Sequence, residues 1–226
     1  MIPTGRLLTA ARLIFILATP VLLFALNIDL ATHSQALYRY GFDRYGAAAR
    51  LKVAPEEVYR AGKELIAYWD SPQPEARIVV RRGGLAIDLF NQREIDHLKD
   101  VKALIAFNRR LMAWLLTYTA AFALLGLLLR RGAFWEYLLG GLKWGGLLTL
   151  GLLLLLGVGV VASFQRLFTL FHLVGFSNLL WVLDPATDRL IQMFPSEFFR
   201  DATLLVVVAT AVEGLLLAGL GRWGTG

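Results

Sequence analysis

The chain has 226 residues, of which 57% are hydrophobic and only 18% are charged, against roughly a quarter charged in soluble domains. The charges are concentrated in residues 33–110, and this uneven distribution predicts membrane helices plus a folded extramembrane part. The absence of cysteine excludes a disulfide framework, a thiol nucleophile and a thiolate metal site. The net charge of +6 does not indicate a nucleic-acid partner, because the basic residues flank apolar segments, where they anchor against lipid headgroups.

The first apolar segment, residues 1–30, resembles a secretory signal peptide because Arg6 and Arg12 lie near its start. It is too long for the apolar region of a signal peptide, and no A-x-A cleavage site follows it. We therefore predict that this segment is retained as the first transmembrane helix, with a kink at Pro20.

Three further apolar segments each have close to the ~20 residues that a helix needs to cross a hydrocarbon core of ~30 Å. They predict transmembrane helices at residues 111–129, 138–162 and 203–220. In the third predicted helix, Gly141 and Gly145 form a small-xxx-small pair, which allows close packing against another helix.

Four spans place both termini on the same side of the membrane. That side carries five arginines in our prediction, namely Arg6, Arg12, Arg130, Arg131 and Arg222. Because basic residues are enriched on the inner side, we predict that both termini are cytoplasmic. The two connecting regions, residues 31–110 and 163–202, are then predicted to lie on the outer face.

Residues 31–110 are predicted to form a small α/β extracytoplasmic domain. A helix is expected from Pro55 to about Trp69, and two short apolar runs around Gly83 and Gly84 predict a β-hairpin. Residues 163–202 are aromatic and amphipathic, which is typical of a loop at the headgroup boundary. The predicted fold class is therefore an α-helical polytopic membrane protein with four transmembrane helices and a hairpin-containing outer domain.

Two charged residues lie inside predicted membrane spans. Lys143 is in the third span and Glu213 is in the fourth, each roughly two turns from the cytoplasmic end. An isolated charge in hydrocarbon is costly, so we expect these two side chains to pair. Whether the pair serves packing or function is open.

The histidines are the main candidates for chemistry, and there are three: His33, His97 and His172. We predict a helix that starts near Asn91, on which Glu94, His97 and Asp100 share one face because they are spaced three apart. The predicted topology brings His97 and His172 to the outer interface, where two histidines with neighbouring carboxylates can perform general acid–base chemistry. A histidine at an interface is also commonly a polar anchor.

Two segments resemble the lipoprotein intramolecular transacylase (Lit) family. The segment from Glu94 to Lys102 is similar to its E-x-x-H-(M/L)-x-D-V-K motif. A second signature is matched at Phe171, His172, Phe176, Asn178, Trp181, Asp184, Pro185, Asp188, Leu190, Ile191, Phe194 and Pro195. The resemblance implies a bacterial cytoplasmic-membrane acyltransferase, active near the outer leaflet. It would move the sn-2 acyl chain of a diacylglyceryl lipoprotein to the α-amine of the N-terminal cysteine, with no cofactor.

The resemblance also suggests roles for individual residues. We predict that His172 is the general base and that His97 stabilises the oxyanion or protonates the departing oxygen, although the sequence allows the reverse assignment. Glu94 and Asp100 are expected to orient His97. Asn178 and Arg93 are expected to act as donors near the substrate, and structural roles for these four side chains remain open.

Two other functions remain open at this point. One is a non-enzymatic membrane scaffold that binds lipid or a partner protein. The other is a metal-dependent membrane hydrolase with His97, His172, Glu94 and Asp100 as ligands, although their spacing matches no known zinc motif. In the transacylase interpretation the partners are the lipoprotein substrate and membrane lipid, without metal or nucleic acid.

Overall fold

A computed structural model describes residues 4–130 and 132–223. Residues 1–3 of the first predicted span and Arg131, which was counted in predicting the orientation, lie outside the described residues. The chain divides into two compact units. The membrane unit comprises the residues up to Asp29, Asn108–Val161 and the residues from Leu204, and the α/β unit comprises Leu30–Phe107 and Ala162–Thr203.

The described residues form eight helices and one two-stranded sheet. In chain order these are α1 (Thr4–Thr32), α2 (Gln35–Arg44), α3 (Ala47–Leu51), α4 (Pro55–Asp70), β1 (Val79–Arg82), β2 (Leu85–Asp88), α5 (Gln92–Arg130), α6 (Gly132–Gly175), α7 (Arg189–Met193) and α8 (Ser196–Trp223). The helix and hairpin predicted in the outer domain are thus observed as α4 and as β1 with β2.

Four of the helices, α1, α5, α6 and α8, contain segments long and apolar enough to cross a membrane. This confirms the predicted α-helical polytopic fold class. The helices extend beyond the predicted spans, so that α6 reaches Gly175 and α8 begins at Ser196. Residues 163–202 are therefore helical at both ends rather than one long loop. Ser163 interrupts α6, because its φ of −166° and ψ of 89° are not helical.

The membrane unit packs its helices closely at glycines of α6, as the small-xxx-small pair predicts. A Cβ atom at Gly145 would lie 2.7 Å from Oγ1 of Thr19 in α1. At the next residue of α6, a Cβ atom at Gly146 would lie 2.8 Å from the backbone nitrogen of Ala218 in α8. These contacts leave no room for a larger residue, so glycine here permits the helices to approach one another.

The intramembrane carboxylate of Glu213 is paired, but not with the residue that we predicted. The side-chain amide of Asn27 donates to Oε2 of Glu213 at 2.7 Å and to Oγ1 of Thr210 at 3.1 Å. Among the described residues, Lys143 forms no ion pair with Glu213, so the predicted pairing is wrong. Lys143 instead lies against Gly221, which is about 12 Å further along α8 than Glu213.

The α/β unit has a conventional hydrophobic core. Its buried side chains come from α2, α3, α4, α7, the start of α5 and the hairpin, and the core includes Tyr38, Val58, Leu65, Trp69, Val80 and Phe194. The indole N–H of Trp69 donates to the hydroxyl of Tyr38, and burial raises the pKa of Tyr38 to about 12. Ile95 and Leu98 belong to this core, which therefore anchors the start of α5, the helix that carries His97.

The hairpin turn requires its two glycines. Gly83 and Gly84 have positive φ angles of 58° and 85°, a conformation that side chains with a Cβ atom rarely adopt and that a tight two-residue turn favours. The strands on either side pair in antiparallel fashion, with Arg82 opposite Leu85. Each strand has four residues, and the backbone amide of Leu89 extends the pairing by donating to the carbonyl of Ile78 at 2.7 Å.

Candidate active site

The start of α5 fixes the position of His97. The side-chain oxygen of Asn91 accepts from the backbone amide of Glu94 at 3.0 Å, and the Glu94 carboxylate accepts from the backbone amide of Asn91 at 2.8 Å. This reciprocal pair is a capping box, which satisfies two amides at the helix start. It sets the first turn of the helix, so that His97, one turn further on, faces the interior of the α/β unit and is 6% exposed.

The side chains of Asn91 and Glu94 also form hydrogen bonds with the segment between α6 and α8. The carboxylate of Glu94, only 1% exposed, also accepts from the backbone amide of Leu190. The side-chain amide of Asn91 donates to Asp188 at 2.9 Å, and Asp188 accepts in turn from the backbone amide of Asp184 at 2.7 Å. The start of α5 and the region between α6 and α8 therefore form one hydrogen-bonded structure.

His172 lies in the last turn of α6 with a defined tautomer. Its Nδ1 atom is 2.7 Å from the backbone carbonyl oxygen of Phe168. A carbonyl oxygen can only accept, so Nδ1 must carry the proton. In the neutral ring the lone pair is then on Nε2, which is the atom available to act as a base.

The two histidines lie next to one another, as the sequence analysis predicted. Their ring centroids are 6.2 Å apart at an interplanar angle of 33°, and both rings are buried. They come from positions 75 residues apart in the chain, and both belong to the α/β unit. The arrangement provides two imidazoles that can act on one bound molecule.

Aromatic side chains surround the pair. Ring centroids within 5.5 Å of the His172 centroid belong to Phe168 at 4.3 Å, Trp181 at 4.9 Å, Phe171 at 5.2 Å and Phe176 at 5.4 Å. Phe176 also lies 5.2 Å from His97. Apolar rings keep water away and lower the local dielectric constant, so hydrogen bonds and charges within the site are stronger than in water.

The other predicted site residues connect α5 to the segment after α6. Asp100 accepts from the side-chain amide of Asn178 at 2.8 Å, and the guanidinium of Arg93 donates to the backbone carbonyl of Leu179 at 2.9 Å. Among the described residues, neither Asp100 nor Glu94 is hydrogen-bonded to His97. The contacts that these side chains make in the structure therefore brace the segment beside the histidines.

Two polar atoms at the site are buried and have no hydrogen-bond partner within the described part of the chain. They are Nδ1 of His97 and Nε1 of Trp181. Buried polar groups in proteins are nearly always paired, so these atoms are candidates to meet a ligand. Trp181 was quoted for the family resemblance but was not among the predicted site residues, because tryptophan in an aromatic loop gives no sign of a chemical role.

The described residues contain no group of three or more histidine, aspartate or glutamate side chains placed to hold a metal ion. Of the four ligands in the metal-hydrolase alternative, Glu94 and Asp100 are directed to amide donors instead. A metal-dependent hydrolase is therefore not favoured by the geometry.

The fold and site define a polytopic helical membrane protein with a buried pair of histidines. A family model for the lipoprotein intramolecular transacylase Lit matches residues 13–199, and the chain belongs to this family. The resemblance found in the sequence is thereby confirmed.

Solved structures of similar proteins share this fold. The solved structure of the membrane-integral lipoprotein intramolecular transacylase Lit from Bacillus cereus superposes with a TM-score of 0.81 at 23% sequence identity, over 98% of this chain and 97% of that one. Structures of two variants of that protein, with one histidine replaced by arginine or alanine, give TM-scores of 0.75. An uncharacterized protein from Aquifex aeolicus is 29% identical over 135 residues, or 60% of this chain, and the match spans little more than half (57%) of that relative.

Proposed function

We propose that this protein transfers the sn-2 acyl chain of a diacylglyceryl-modified lipoprotein to the α-amino group of its N-terminal cysteine, which gives the lyso form of the lipoprotein. The observation that carries the proposal is the buried pair of His97 and His172, whose ring centroids are 6.2 Å apart, in a chain of the Lit family. Conversion of an ester to an amide is downhill, so the reaction needs no nucleotide or second acyl donor.

His172 is the general base in this proposal. An α-amino group has a pKa near ~7.7–8.0, so it must lose a proton to complete its attack on the ester carbonyl carbon. The hydrogen bond from Nδ1 of His172 to Phe168 leaves Nε2 as the acceptor for that proton. This tautomer favours His172 as the base over the reverse assignment that the sequence left open.

His97 acts on the other side of the reaction. When the tetrahedral intermediate collapses, the bond between the carbonyl carbon and the glycerol oxygen breaks, and that oxygen takes up a proton. His97 can pass to that oxygen the proton that His172 removed from the amine, or its ring N–H can stabilise the charge on the oxyanion. The unpaired Nδ1 of His97 supports this role, since it is not engaged by another described side chain.

Holding the substrate in a reactive conformation accounts for much of the expected rate. The amine and the ester belong to one molecule, so the protein only has to fold the substrate so that the two groups meet. The aromatic rings around His172 supply a confined apolar surface for this purpose, and they exclude the water that would otherwise hydrolyse the ester.

The proposal also covers the location of the protein and the residues that support the site. The protein is assigned to the bacterial cytoplasmic membrane, with both termini cytoplasmic and the histidines near the outer leaflet, where diacylglyceryl lipoproteins are anchored. Four apolar helices and the arginines near the predicted inner ends support this topology. Glu94, Asp100, Asn178 and Arg93 support the site by holding the segment next to the histidines.

A crossover experiment tests the proposed reaction. Two diacylglyceryl lipopeptides, one with deuterated acyl chains and the other with a labelled peptide, are mixed with the purified protein and analysed by tandem mass spectrometry. Intramolecular transfer predicts acyl groups on the cysteine nitrogen and no product that combines a deuterated acyl chain with a labelled peptide. The transfer is read from fragment ions, because it does not change the intact mass. Transfer through a second molecule would produce mixed labels, and a scaffold protein would leave both amines free.

The same assay in sealed membrane vesicles tests the location. Lipopeptide added to right-side-out vesicles is expected to react, because the histidines then face the added substrate. Reaction in inside-out vesicles without reaction in right-side-out vesicles would contradict the proposed orientation.

A further inference from the structure

We propose that the indole N–H of Trp181 is a catalytic hydrogen-bond donor that stabilises the oxyanion formed at the sn-2 carbonyl. The inference rests on the proposed function and adds a third group to its chemistry. It comes from a buried donor beside His172 that has no partner among the described residues.

The first observation is the state of the indole nitrogen. The indole N–H can donate but cannot accept, and Nε1 of Trp181 is buried without an acceptor in the described part of the chain. By contrast, the buried indole of Trp69 donates to the hydroxyl of Tyr38. A donor held away from water and left without an acceptor is suited to a bound group that brings negative charge.

The second observation is that three other donor groups of the site are already engaged. The side-chain amide of Asn178 is taken by Asp100, and the guanidinium of Arg93 is taken by the carbonyl of Leu179. The Nδ1–H of His172 itself is taken by Phe168. Within the described part of the chain, the buried side-chain nitrogens of this site that have no partner are on Trp181 and His97.

The third observation is that Trp181 is held in place. It lies within a turn that is closed by the backbone amide of Val182, which donates to the carbonyl of Leu179 at 3.2 Å, and that carbonyl also accepts from Arg93. Its ring lies 4.9 Å from the His172 ring at an angle of 35°. A donor fixed before the reaction needs no reorganisation as charge develops, which makes such donors effective in catalysis.

These groups divide the reaction among three side chains. The cysteine nitrogen attacks the sn-2 carbonyl carbon while Nε2 of His172 accepts a proton from that nitrogen. The carbonyl oxygen gains the negative charge and accepts a hydrogen bond from Trp181. The carbon–oxygen bond to glycerol then breaks, and the proton held on His172 passes to the glycerol oxygen with the help of His97. An amide remains and both histidines return to their starting state, so atoms and charge balance without another reactant.

The substitution Trp181→Phe removes the donor and keeps an aromatic ring. Loss of one oxyanion donor typically lowers kcat by roughly 10²–10³-fold, and we expect a loss of that order with little change in KM. Trp114→Phe is the matched control, because Trp114 lies on α5 in the membrane unit and is 76% exposed. It is expected to keep the wild-type rate, and both variants should keep the wild-type melting temperature.

A substrate with sulfur in place of the sn-2 carbonyl oxygen separates this role from a structural one. Sulfur is a weak acceptor, so the sulfur substrate gains little from the indole N–H. On that substrate, the rate of wild type should exceed the rate of Trp181→Phe by only a few-fold. An equal loss on both substrates, or a rate like that of Trp114→Phe, would overturn the inference while the wild-type activity still upheld the proposed function. A wild-type protein that leaves the amine free would overturn both.

Discussion

The two units of this protein differ in where their large apolar side chains point: outward in the membrane unit and inward in the α/β unit. In the membrane unit many of them point outward, as shown by Trp114, Leu128 and Val161, which are 76%, 74% and 84% exposed. In the α/β unit the corresponding residues are buried together, and Val58 and Leu65 are each 1% exposed. The first arrangement suits lipid and the second suits water.

This difference implies that the units are stabilised by different interactions. Lipid chains are as apolar as leucine, so burial adds little to helix association in a membrane, and close packing at small residues becomes important. In the α/β unit, hydrophobic burial and fully paired carboxylates stabilise the fold. Substitutions at a buried carboxylate and at a contact glycine should therefore affect different parts of the chain.

The larger effect is expected from Glu94→Ala in the α/β unit. It removes an acceptor of backbone amides of Asn91 and Leu190, and leaving two amides unpaired costs about 2–4 kcal/mol of folding stability. Hydrogen–deuterium exchange should increase at the start of α5 and between α6 and α8, and little in α1.

The control for Glu94→Ala is Glu64→Ala. Glu64 is a partly exposed residue of α4 whose carboxylate pairs with Arg60, and surface pairs of this kind contribute about 0–1 kcal/mol. If both variants were equally stable, the hydrogen bonds of Glu94 would not be what holds the segment to α5.

The smaller effect is expected from Gly146→Ala in the membrane unit. The new methyl group would lie 2.8 Å from the backbone nitrogen of Ala218, so α6 and α8 must separate, and overpacking of this kind costs about 1–3 kcal/mol. The melting temperature in detergent should fall, and exchange should rise in α6 and α8.

Gly151→Ala is the matched control on the same helix, because a Cβ atom at Gly151 meets nothing within 4 Å. It is expected to be neutral or slightly stabilising, since alanine favours helix over glycine. Equal melting temperatures for Gly146→Ala and Gly151→Ala would show that the close approach of α6 and α8 is not needed for stability.

Much of the fold could be predicted because its signals are local. Apolar length predicted the four long helices, proline with acidic residues predicted α4, and Gly83 with Gly84 predicted the hairpin. The short helices α2 and α3 were missed. Their sequence signals are weak. Only one capping residue, Ser34, precedes α2, and its hydroxyl accepts from the backbone amide of Leu37 at 3.2 Å, while α3 has no side-chain cap.

Motifs and topology predicted which histidines form the site, but not the hydrogen bonds within it. Motif spacing and topology brought His97 and His172 together, but the tautomer of His172 depends on a hydrogen bond to Phe168 that no pattern reveals. The unpaired nitrogen of Trp181 also depends on three-dimensional packing. The wrong pairing of Lys143 with Glu213 has the same origin, because depth in the membrane does not specify which helix faces meet.

The central claim is that His97 and His172 together perform the acyl transfer, and single-turnover mass spectrometry of acyl migration to the cysteine nitrogen tests it most directly. Loss of a general acid or base costs roughly 10²–10⁴-fold, so His172→Gln and His97→Gln should each slow the reaction by that order in folded protein. His33→Gln, a histidine outside the site that lies 3.6 Å from Asp70, should keep the wild-type rate. Wild-type rates in folded His172→Gln or His97→Gln protein would contradict the account.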